Sequence, residues 1–314
     1  VDVLLPQLRD PQGTPSPRPE RKPNPKRKFA SGPTPYLNEF CRDLSALARA
    51  GADVIGVGRS TERCRQAEMA VGSLNPATRV HYLTADLSQQ GEVRRLAFMI
   101  KDRLAADGKV ALDGLVNNAG TYTYWLTLTP DGIETQWAVN HLAGFLLTHE
   151  LLPLLRTAPY ARVVTVSSDS HHGARIRWDD PQLRRRYDGL AAYGTTKLAN
   201  ILFTVELNRR LREESSVRAF AVDPGLVKTD IAMKGTPALV SWAWKIRRSG
   251  GTGPEVPARC IQYLLIEPSI QHATQQYWKN CRPARASQAA LDNRSASRLW
   301  MLSEGLCGIG EWSS

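Results

Sequence analysis

Short apolar runs rich in β-branched residues alternate with longer segments of helical periodicity along most of this 314-residue chain. The apolar runs are Asp53–Arg59, Arg79–Leu83, Leu112–Val116, Arg162–Val166, Val217–Val222 and a final short one at Gln275–Trp278. Helical spacing occurs before Gly51 and over 61–74, 89–105, 131–156, 191–213 and 254–266. Near-continuous apolar runs are typical of strands covered on both faces, and their alternation with helices is typical of βαβ units. The pattern predicts an α/β fold with a parallel sheet between helices.

Small and polar residues directly follow three of these runs. They are Asn117-Asn118-Ala119-Gly120, Ser167-Ser168 and Asp223-Pro224-Gly225. In an open parallel sheet, ligands bind in the crevice outside the carboxyl ends of the strands. Ordinary turn chemistry explains any one of these sets, but the three together predict a binding site at this edge.

Tyr193 and Lys197 lie four residues apart in the predicted helix over 191–213. Residues at this spacing share a helix face. An ammonium beside a phenol stabilises the phenolate, so Lys197 is expected to lower the pKa of Tyr193 from its reference value of about 10. Such a tyrosine can exchange a proton with a carbonyl or alcohol oxygen. Chance and surface pairing also produce this pattern, so it indicates catalysis only together with the strand ends.

These residues occur in the order of the motifs of the short-chain dehydrogenase/reductase family, which the chain resembles over about 45–280. The motif residues are Asn117 to Gly120, Asn140, Ser168, Tyr193 with Lys197, and Pro224-Gly225 followed by Thr229. Val166–His172 and Tyr193–Leu207 resemble the retinol-dehydrogenase-like branch in particular. The resemblance implies a Rossmann-like doubly wound sheet and an NAD(P)-dependent oxidoreductase that interconverts a hydrophobic alcohol and its carbonyl.

The resemblance also implies catalytic roles. Tyr193 would be the acid/base, and Lys197 would depress its pKa and hydrogen-bond the nicotinamide ribose. Ser168 would hold the substrate oxygen as a single donor. Asn140 would support a water that relays protons from Lys197, and the alternative for Asn140 is a polar residue satisfied within its helix. Ser167 is interpreted as strand-end packing.

A second set of residues would bind the cofactor. With Tyr193 and Lys197, this set comprises Arg59, Asp86, Leu87, Asn117, Ala119, Gly120, Pro224, Gly225 and Thr229. Asp86 would meet the adenine, and Asn117 and Gly120 would shape the wall beside its ribose. Arg59 ends the first of the runs, where an arginine suits a 2′-phosphate and the acidic residue for a free hydroxyl is missing. NADP is therefore favoured over NAD; the alternative for Arg59 is an ordinary surface arginine.

The N-terminal part departs from the family pattern. The family's glycine-rich turn T-G-x-x-x-G-x-G should bring glycines to positions 34, 38 and 40, where this chain has Thr34, Asn38 and Phe40. Side chains there would block the approach of a diphosphate to the backbone. We therefore expect the first strand and this turn to be missing or aberrant, and dinucleotide to bind poorly. Either residues 1–40 are wrongly joined or truncated in an otherwise normal enzyme, which the intact catalytic residues favour, or tight cofactor binding has been lost.

Residues 1–35 differ in composition from the rest. They hold nine of the 20 prolines and carry a charge of +4, out of +11 for the whole chain. Proline at this density disfavours helix and sheet, so a disordered, basic tail is predicted before one domain over 36–314. A nucleic-acid-binding arm at 18–28 would rest on charge alone, since no aromatic residue interleaves with the basic ones before Phe29, and no nucleic-acid partner is expected.

The C-terminal third bears on substrate and surroundings. In the family, the stretch equivalent to 231–246 forms a lid, and its apolar residues would suit a lipophilic alcohol or carbonyl, with core packing as the alternative. Trp242 and Trp244 beside Lys245 would also suit a peripheral membrane contact. The sequence is compatible with a homo-oligomer and does not determine the oligomeric state. The five cysteines form no C-x-x-C pair, which favours reduced thiols in a cytoplasmic or organelle-associated reducing compartment.

Three other interpretations are kept. His171 and His172 have no further metal-ligand partners at suitable spacing, so no metal site is expected. A non-catalytic binding or scaffold protein of the same family would explain the missing glycines. A sugar-nucleotide epimerase or reductase shares the tyrosine–lysine spacing, but Asn117 to Gly120 argues against it.

Overall fold

The computed structural model describes residues 3–5, 42–211, 216–225, 255–271 and 273–310. Its strands are β1 Val3–Leu5, β2 Val54–Gly58, β3 Val80–Thr84, β4 Gly114–Asn117, β5 Ala161–Val166, β6 Val217–Asp223, β7 Tyr277–Lys279 and β8 Arg282–Pro283. They form one sheet in the order β3-β2-β1-β4-β5-β6-β7-β8. The pairs β2–β3, β4–β5, β5–β6 and β6–β7 are parallel, which confirms the predicted α/β class.

Helices cover both faces of this sheet. They are α1 Arg42–Arg49, α2 Thr61–Gly72, α3 Gln90–Ala106, α4 Ala143–Thr157, α5 Gly189–Leu211, α6 Glu255–Ile266 and α7 Asn293–Cys307. One face of the sheet packs on α3, α4, α5 and α7 through residues such as Leu115 and Val163. The next residue in each strand, Val116 and Val164, faces α1 and α6. This alternation puts both sides of each central strand in the core, which explains why the strands appear as unbroken apolar runs.

The predicted helix over 131–156 is divided in the structure. Glu134 caps its start, because its carboxylate accepts from the N–H groups of Gln136 at 2.9 Å and Trp137 at 2.7 Å. A short helix at Thr135–Trp137 leads into a π-helical turn at Ala138–Leu142, and α4 follows without a break. The π turn brings Asn140 and His141, both buried, against α5.

The first strand lies in a part of the chain where no strand was predicted. Val3–Leu5 fills the position between β2 and β4, within the range that we predicted to be a disordered tail. It runs antiparallel to both neighbours, with Val3 opposite Val116 and Leu5 opposite Gly114. A three-residue stretch of apolar residues satisfies the hydrogen-bonding edges of β2 and β4, which explains why it pairs despite the proline-rich sequence after it. The other residues of the predicted tail lie outside the described residues.

The reversed direction of β1 matters at the crevice. The parallel strands end at one edge of the sheet, and β1 begins at that edge and leaves at the opposite one. The chain that follows β1 therefore starts at the edge opposite the crevice. In the described residues, no turn follows β1 at the edge where the parallel strands end. The aberrant first strand expected from the sequence is present in this form.

Candidate active site

The helix α5 positions Tyr193 and Lys197 beside the carboxyl end of β5. The Lys197 Nζ lies 5.4 Å from the centroid of the Tyr193 ring, as the four-residue spacing predicts. It donates a hydrogen bond to the Val166 carbonyl oxygen at 3.0 Å, and the lysine is only 3% exposed. Burial lowers the pKa of Lys197 to about 8, because desolvation disfavours the ammonium.

The predicted fall in the pKa of Tyr193 is wrong for this structure. Burial, together with the negative charge of Asp223, raises the pKa of Tyr193 to about 12. Lys197 lies over the ring face and is bonded to Val166, so its charge does not offset these two effects. The phenol is therefore protonated at neutral pH.

Asp223 is a charged neighbour of Tyr193 and Lys197 for which no role was predicted from the sequence. It ends β6 and is 3% exposed, and its Oδ1 accepts from the Gly225 N–H at 2.9 Å. Lys279, at the end of β7, forms an ion pair with its Oδ2 at 3.0 Å and donates a hydrogen bond to Asp169. Burial raises the pKa of Asp223, while Lys279 opposes that rise. The sequence does show a carboxylate at the end of a central strand, which could have marked Asp223 as a candidate. It does not show that this carboxylate pairs with a lysine on another strand.

Ser168 stands at the start of a short 3-10 helix, Asp169–His171, that follows β5. Its Oγ accepts from the Ser170 N–H at 3.2 Å, and the residue is half-buried just after the carboxyl end of β5. Gly194 allows this loop to lie close to α5, because a Cβ at that position would be 2.9 Å from the Ser170 carbonyl oxygen. Ser168 and Tyr193 are thus brought to the same side of the crevice.

His171, part of the branch pattern in the sequence, fixes the Ser168 loop. Its side chain is fully buried, and its Nδ1 lies 2.7 Å from the Ser168 carbonyl oxygen. The Ser287 N–H donates to its Nε2 at 3.2 Å. Burial lowers the pKa of His171, so the ring is neutral and can donate at one nitrogen while accepting at the other. A contact with a residue far away along the chain gives this histidine its role.

Asn140 is held by its side chain. Its Oδ1 accepts from the Thr121 N–H at 2.6 Å, and its Nδ2 donates to the Thr121 carbonyl oxygen at 3.0 Å and the Thr196 hydroxyl at 3.1 Å. These bonds tie the loop after β4 to α5. The side chain is fully engaged with protein groups, so any water that Asn140 supports would bind its main chain.

Two of the predicted cofactor residues meet at the ends of β2 and β3. Arg59 is exposed, and its charge acts on Asp86. Partial burial alone would raise the pKa of Asp86, but hydrogen bonds from Gln89 and Ser88, together with Arg59, lower it. Leu87 next to it is half-buried and packs against the core.

The residues predicted to line the cofactor after β4 differ in their burial. Ala119 and Gly120 are half-buried in the loop that follows the strand. Asn117 is buried and points inward, where its Nδ2 donates to the Thr148 hydroxyl at 3.0 Å on α4. This bond ties the end of β4 to α4, and its role beside the cofactor stays a prediction. The ring of Tyr122, which the sequence analysis did not single out, lies edge-on to Tyr193 at a centroid distance of 6.3 Å.

The predicted closure over the nicotinamide end is described only at its start. Pro224 and Gly225 are half-buried after β6, and Gly225 has a φ of 73°, which favours glycine. Thr229 and the predicted lid over 231–246 lie outside the described residues. Among the residues that the structure describes, no group of three or more His, Cys, Asp or Glu side chains could hold a metal ion. None of the described helices is long and apolar enough to cross a membrane.

Comparison with known proteins gives a consistent result. The family model for short chain dehydrogenase matches residues 44–239. Retinol dehydrogenase 12 of Mus musculus is 35% identical over 270 residues, which cover 85% of this chain and 81% of that protein. Dehydrogenase/reductase SDR family member 13 of Bos taurus is 35% identical over 272 residues, covering 84% of this chain and 69% of its own length.

A solved structure agrees with this assignment. An uncharacterised protein from Mycobacterium paratuberculosis matches with a TM-score of 0.64 and 32% identity, over 88% of this chain and 91% of that one. The family match includes β2 to β6 and the segment that carries Ser168, Tyr193 and Lys197. The chain therefore belongs to the short-chain dehydrogenase family, in its retinol-dehydrogenase-like branch.

Proposed function

We propose that this protein is an NADP-linked oxidoreductase that interconverts a lipophilic alcohol and its carbonyl. The observation that carries the proposal is the group formed by Ser168, a protonated Tyr193 and the buried Lys197 at one edge of the sheet. Relatives named retinol dehydrogenase support a lipophilic substrate.

Each side chain has a role that follows from its position. The Ser168 hydroxyl would hold the substrate oxygen, and Tyr193 would exchange a proton with that oxygen. A phenol with a pKa of about 12 is protonated at neutral pH, which is the state that donates to a carbonyl during reduction. Lys197 would stabilise the phenolate that forms, once a substrate displaces water from the crevice. When bound, the nicotinamide cofactor supplies or accepts the hydride.

The preference for NADP rests on Arg59. Its guanidinium is exposed at the end of β2, and the sequence has no acidic residue at that strand end to accept a ribose hydroxyl. An arginine there suits a 2′-phosphate, because it offers a charge-assisted hydrogen bond to the anion. Asp86, ionised and close to Arg59, would meet the adenine side of the same nucleotide.

The residues present fit a dinucleotide at its two ends and not at its diphosphate. Arg59 and Asp86, together with Ala119 and Gly120, suit the adenosine end, and Lys197 suits the nicotinamide end. The sequence has no glycine where the diphosphate should approach, and β1 leaves the sheet at the wrong edge to form that turn. We therefore propose weak binding of the cofactor.

A lipophilic substrate is also favoured by the aromatic surroundings of Tyr193. Tyr122 lies edge-on to it, and the same loop continues into Tyr124 and Trp125, whose rings are 4.7 Å apart. Trp125 is 66% exposed. Apolar side chains that flank a few convergent polar groups are typical of sites for small lipophilic molecules.

The test is reduction of retinal and of long-chain aldehydes by the full chain at saturating NADPH, followed by loss of nicotinamide absorbance. We expect Tyr193→Phe to lower kcat by about 100-fold or more. Tyr160→Phe is the matched control, because Tyr160 is exposed just before β5, at the edge opposite the crevice. Equal turnover by wild type and Tyr193→Phe would refute the role of the tyrosine.

The cofactor is tested by fluorescence titration with NADPH and NADH. Arg59→Ala is expected to raise the Kd for NADPH by about 10-fold and leave that for NADH unchanged. The reversed β1 favours one second candidate, a binding or scaffold protein without catalysis. NADPH binding without turnover of any carbonyl tested would support that candidate instead.

A further inference from the structure

Asn200 lies on α5 three residues after Lys197 and contacts the same carbonyl group. Its Nδ2 donates to the Val166 carbonyl oxygen at 3.0 Å and to the Asn140 carbonyl oxygen at 2.9 Å. The Val166 oxygen also accepts from the Lys197 Nζ at 3.0 Å. Asn200 is 2% exposed, so both of its N–H groups are used in the protein interior.

The orientation of this amide is set by His141. The His141 Nδ1 lies 3.3 Å from the Asn200 Oδ1, and its Nε2 lies 2.9 Å from the Ser303 Oγ on α7. Because Asn200 uses both N–H groups on carbonyls, its Oδ1 is the acceptor and His141 carries its proton on Nδ1. The Nε2 then accepts a hydrogen bond from the Ser303 hydroxyl. The Leu299 carbonyl oxygen, 2.9 Å from the Ser303 Oγ, competes for the same hydrogen.

Burial keeps this histidine in the state that the network requires. His141 is 2% exposed, and burial lowers its pKa to about 4. A neutral imidazole donates at one nitrogen and accepts at the other, whereas a charged imidazolium would donate at both. Reversal of the Asn200 amide would leave its oxygen facing the carbonyl oxygens of Val166 and Asn140, whichever ring nitrogen of His141 carried the proton. Only the present orientation gives both N–H groups of the amide an acceptor.

We propose that Asn200 is a positioning residue for Lys197. His141 and Ser303 fix the orientation of the Asn200 amide, and because Ser303 lies on α7, this C-terminal helix holds the Lys197 ammonium in place through Asn200. The Asn200 amide fixes the Val166 carbonyl group that the ammonium binds and occupies the neighbouring carbonyl of Asn140. The inference rests on the proposed function, because Lys197 matters through its service to Tyr193.

Among the described residues, the titratable groups that bear on Lys197 or on its neighbour Asn200 come from three elements. Tyr193 stands on the same helix, Asp223 ends β6, and His141 lies in the π turn beside Asn200. Of these, Tyr193 and His141 are neutral at physiological pH, and Asp223 is paired with Lys279. A change at Asn200 therefore acts on the ammonium by freeing carbonyl oxygens or by adding a new charge.

The primary test follows the titration of Lys197 by NMR in the full chain with labelled lysine, without cofactor. We expect a midpoint of about 8 in the wild type. Asn200→Ala frees the Val166 and Asn140 carbonyl oxygens for the ammonium and should raise the midpoint. Asn200→Asp keeps the shape and adds a carboxylate, so it should raise the midpoint by about 1 unit or more.

Asn208→Ala is the matched control. Asn208 lies on the same helix and also bonds backbone twice, to the Ala219 carbonyl oxygen at 2.8 Å and from the Ala219 N–H at 2.9 Å. A purely structural role for Asn200 predicts that both alanine variants lower the melting temperature and neither moves the Lys197 midpoint. That outcome would overturn the proposal, and movement in the Asn200 variants alone would support it.

The role of His141 and Ser303 is tested by long-range proton–nitrogen NMR of His141. We expect the proton on Nδ1 in the wild type and a mixture of ring forms in Ser303→Ala, which removes only the hydroxyl that bonds Nε2. A wild-type ring protonated on Nε2 would overturn the proposal. Should Asn200→Ala fail to fold, Asn200→Asp and Ser303→Ala still decide the question.

Turnover separates this inference from the proposed function. If the wild type reduces lipophilic carbonyls, Asn200→Asp should lower kcat by about 10- to 100-fold with little change in KM for the carbonyl. If the wild type turns over none of them, the proposed function fails, and the two NMR measurements alone decide whether Asn200 positions Lys197. An unchanged kcat in Asn200→Asp would count against the positioning role.

Discussion

Gly194 offers a direct test of how closely α5 must approach the Ser168 loop. The residue follows Tyr193, and a Cβ built on it would lie 2.9 Å from the Ser170 carbonyl oxygen and 3.4 Å from the Ala174 Cβ. The nearest atom belongs to backbone, so it cannot rotate away as a flexible side chain would. Gly194→Ala must therefore push the 3-10 helix at Asp169–His171 away from α5.

The size of the effect follows from two opposing contributions. Alanine favours the helix over glycine by about 0.5–1 kcal/mol, whereas overpacking a well-packed site costs about 1–3 kcal/mol. We expect a net loss of about 1–2 kcal/mol in the free energy of unfolding, or a fall of about 2–8 °C in Tm. Ser168 precedes Ser170 by two residues, so kcat should fall as Ser168 moves away from Tyr193.

Gly305→Ala is the control, since Gly305 lies in α7 and a Cβ built there would have nothing within 4 Å. The same substitution there should stabilise the protein by about 0.5–1 kcal/mol and leave turnover unchanged. Urea and thermal unfolding of both variants measure the comparison. A Gly194→Ala protein as stable as Gly305→Ala would refute the reasoning.

Two further predictions concern charge and pH. Asp223→Asn removes a negative charge that raises the pKa of both Tyr193 and Lys197, so the Lys197 midpoint measured by NMR should fall below about 8; an unmoved midpoint would contradict this. The pKa of His141 lies at about 4 in the folded chain against 6.5 for the unperturbed group, so the unfolded chain binds the extra proton between these values. Stability should therefore fall by about 3 kcal/mol from this residue as the pH drops from 6.5 to about 4, and His141→Gln should flatten that slope in urea unfolding.

The sequence predicted the sheet well because its central strands are buried on both faces. β5 was expected at Arg162–Val166 and is found at Ala161–Val166, and β6 was expected at Val217–Val222 and extends by one residue to Asp223. Such strands need apolar residues at every position, so a continuous apolar run in the sequence directly predicts the strand. The four-residue spacing of Tyr193 and Lys197 determined their shared face for the same local reason.

Features that depend on distant contacts could not be predicted in this way. The role of His171 requires Ser287, and the charge on Asp223 is balanced by Lys279. No pattern in the sequence links the two partners of either pair. The expected pKa of Tyr193 was wrong because pairwise reasoning about Lys197 left out burial and Asp223. The π turn at Ala138–Leu142 was also missed, because helical periodicity does not distinguish one widened turn from a regular helix.

The proposed catalytic half and the proposed cofactor-binding half of the site are built on different elements. This division determines whether the missing glycine-rich turn should change the KM for the cofactor or kcat. The proposed catalytic residues follow β5 or lie on α5, where Lys197 bonds Val166, whereas β1 pairs with β2 and β4. A weak hold on the diphosphate lowers binding of the ground state and the transition state alike, so it raises the KM for the cofactor and leaves kcat intact at saturation. A reversed strand that disturbed the catalytic residues would instead lower kcat even at saturating cofactor. Because the bonds around Lys197 and Ser168 are complete with β1 reversed, the first of these kinetic patterns is the one we expect.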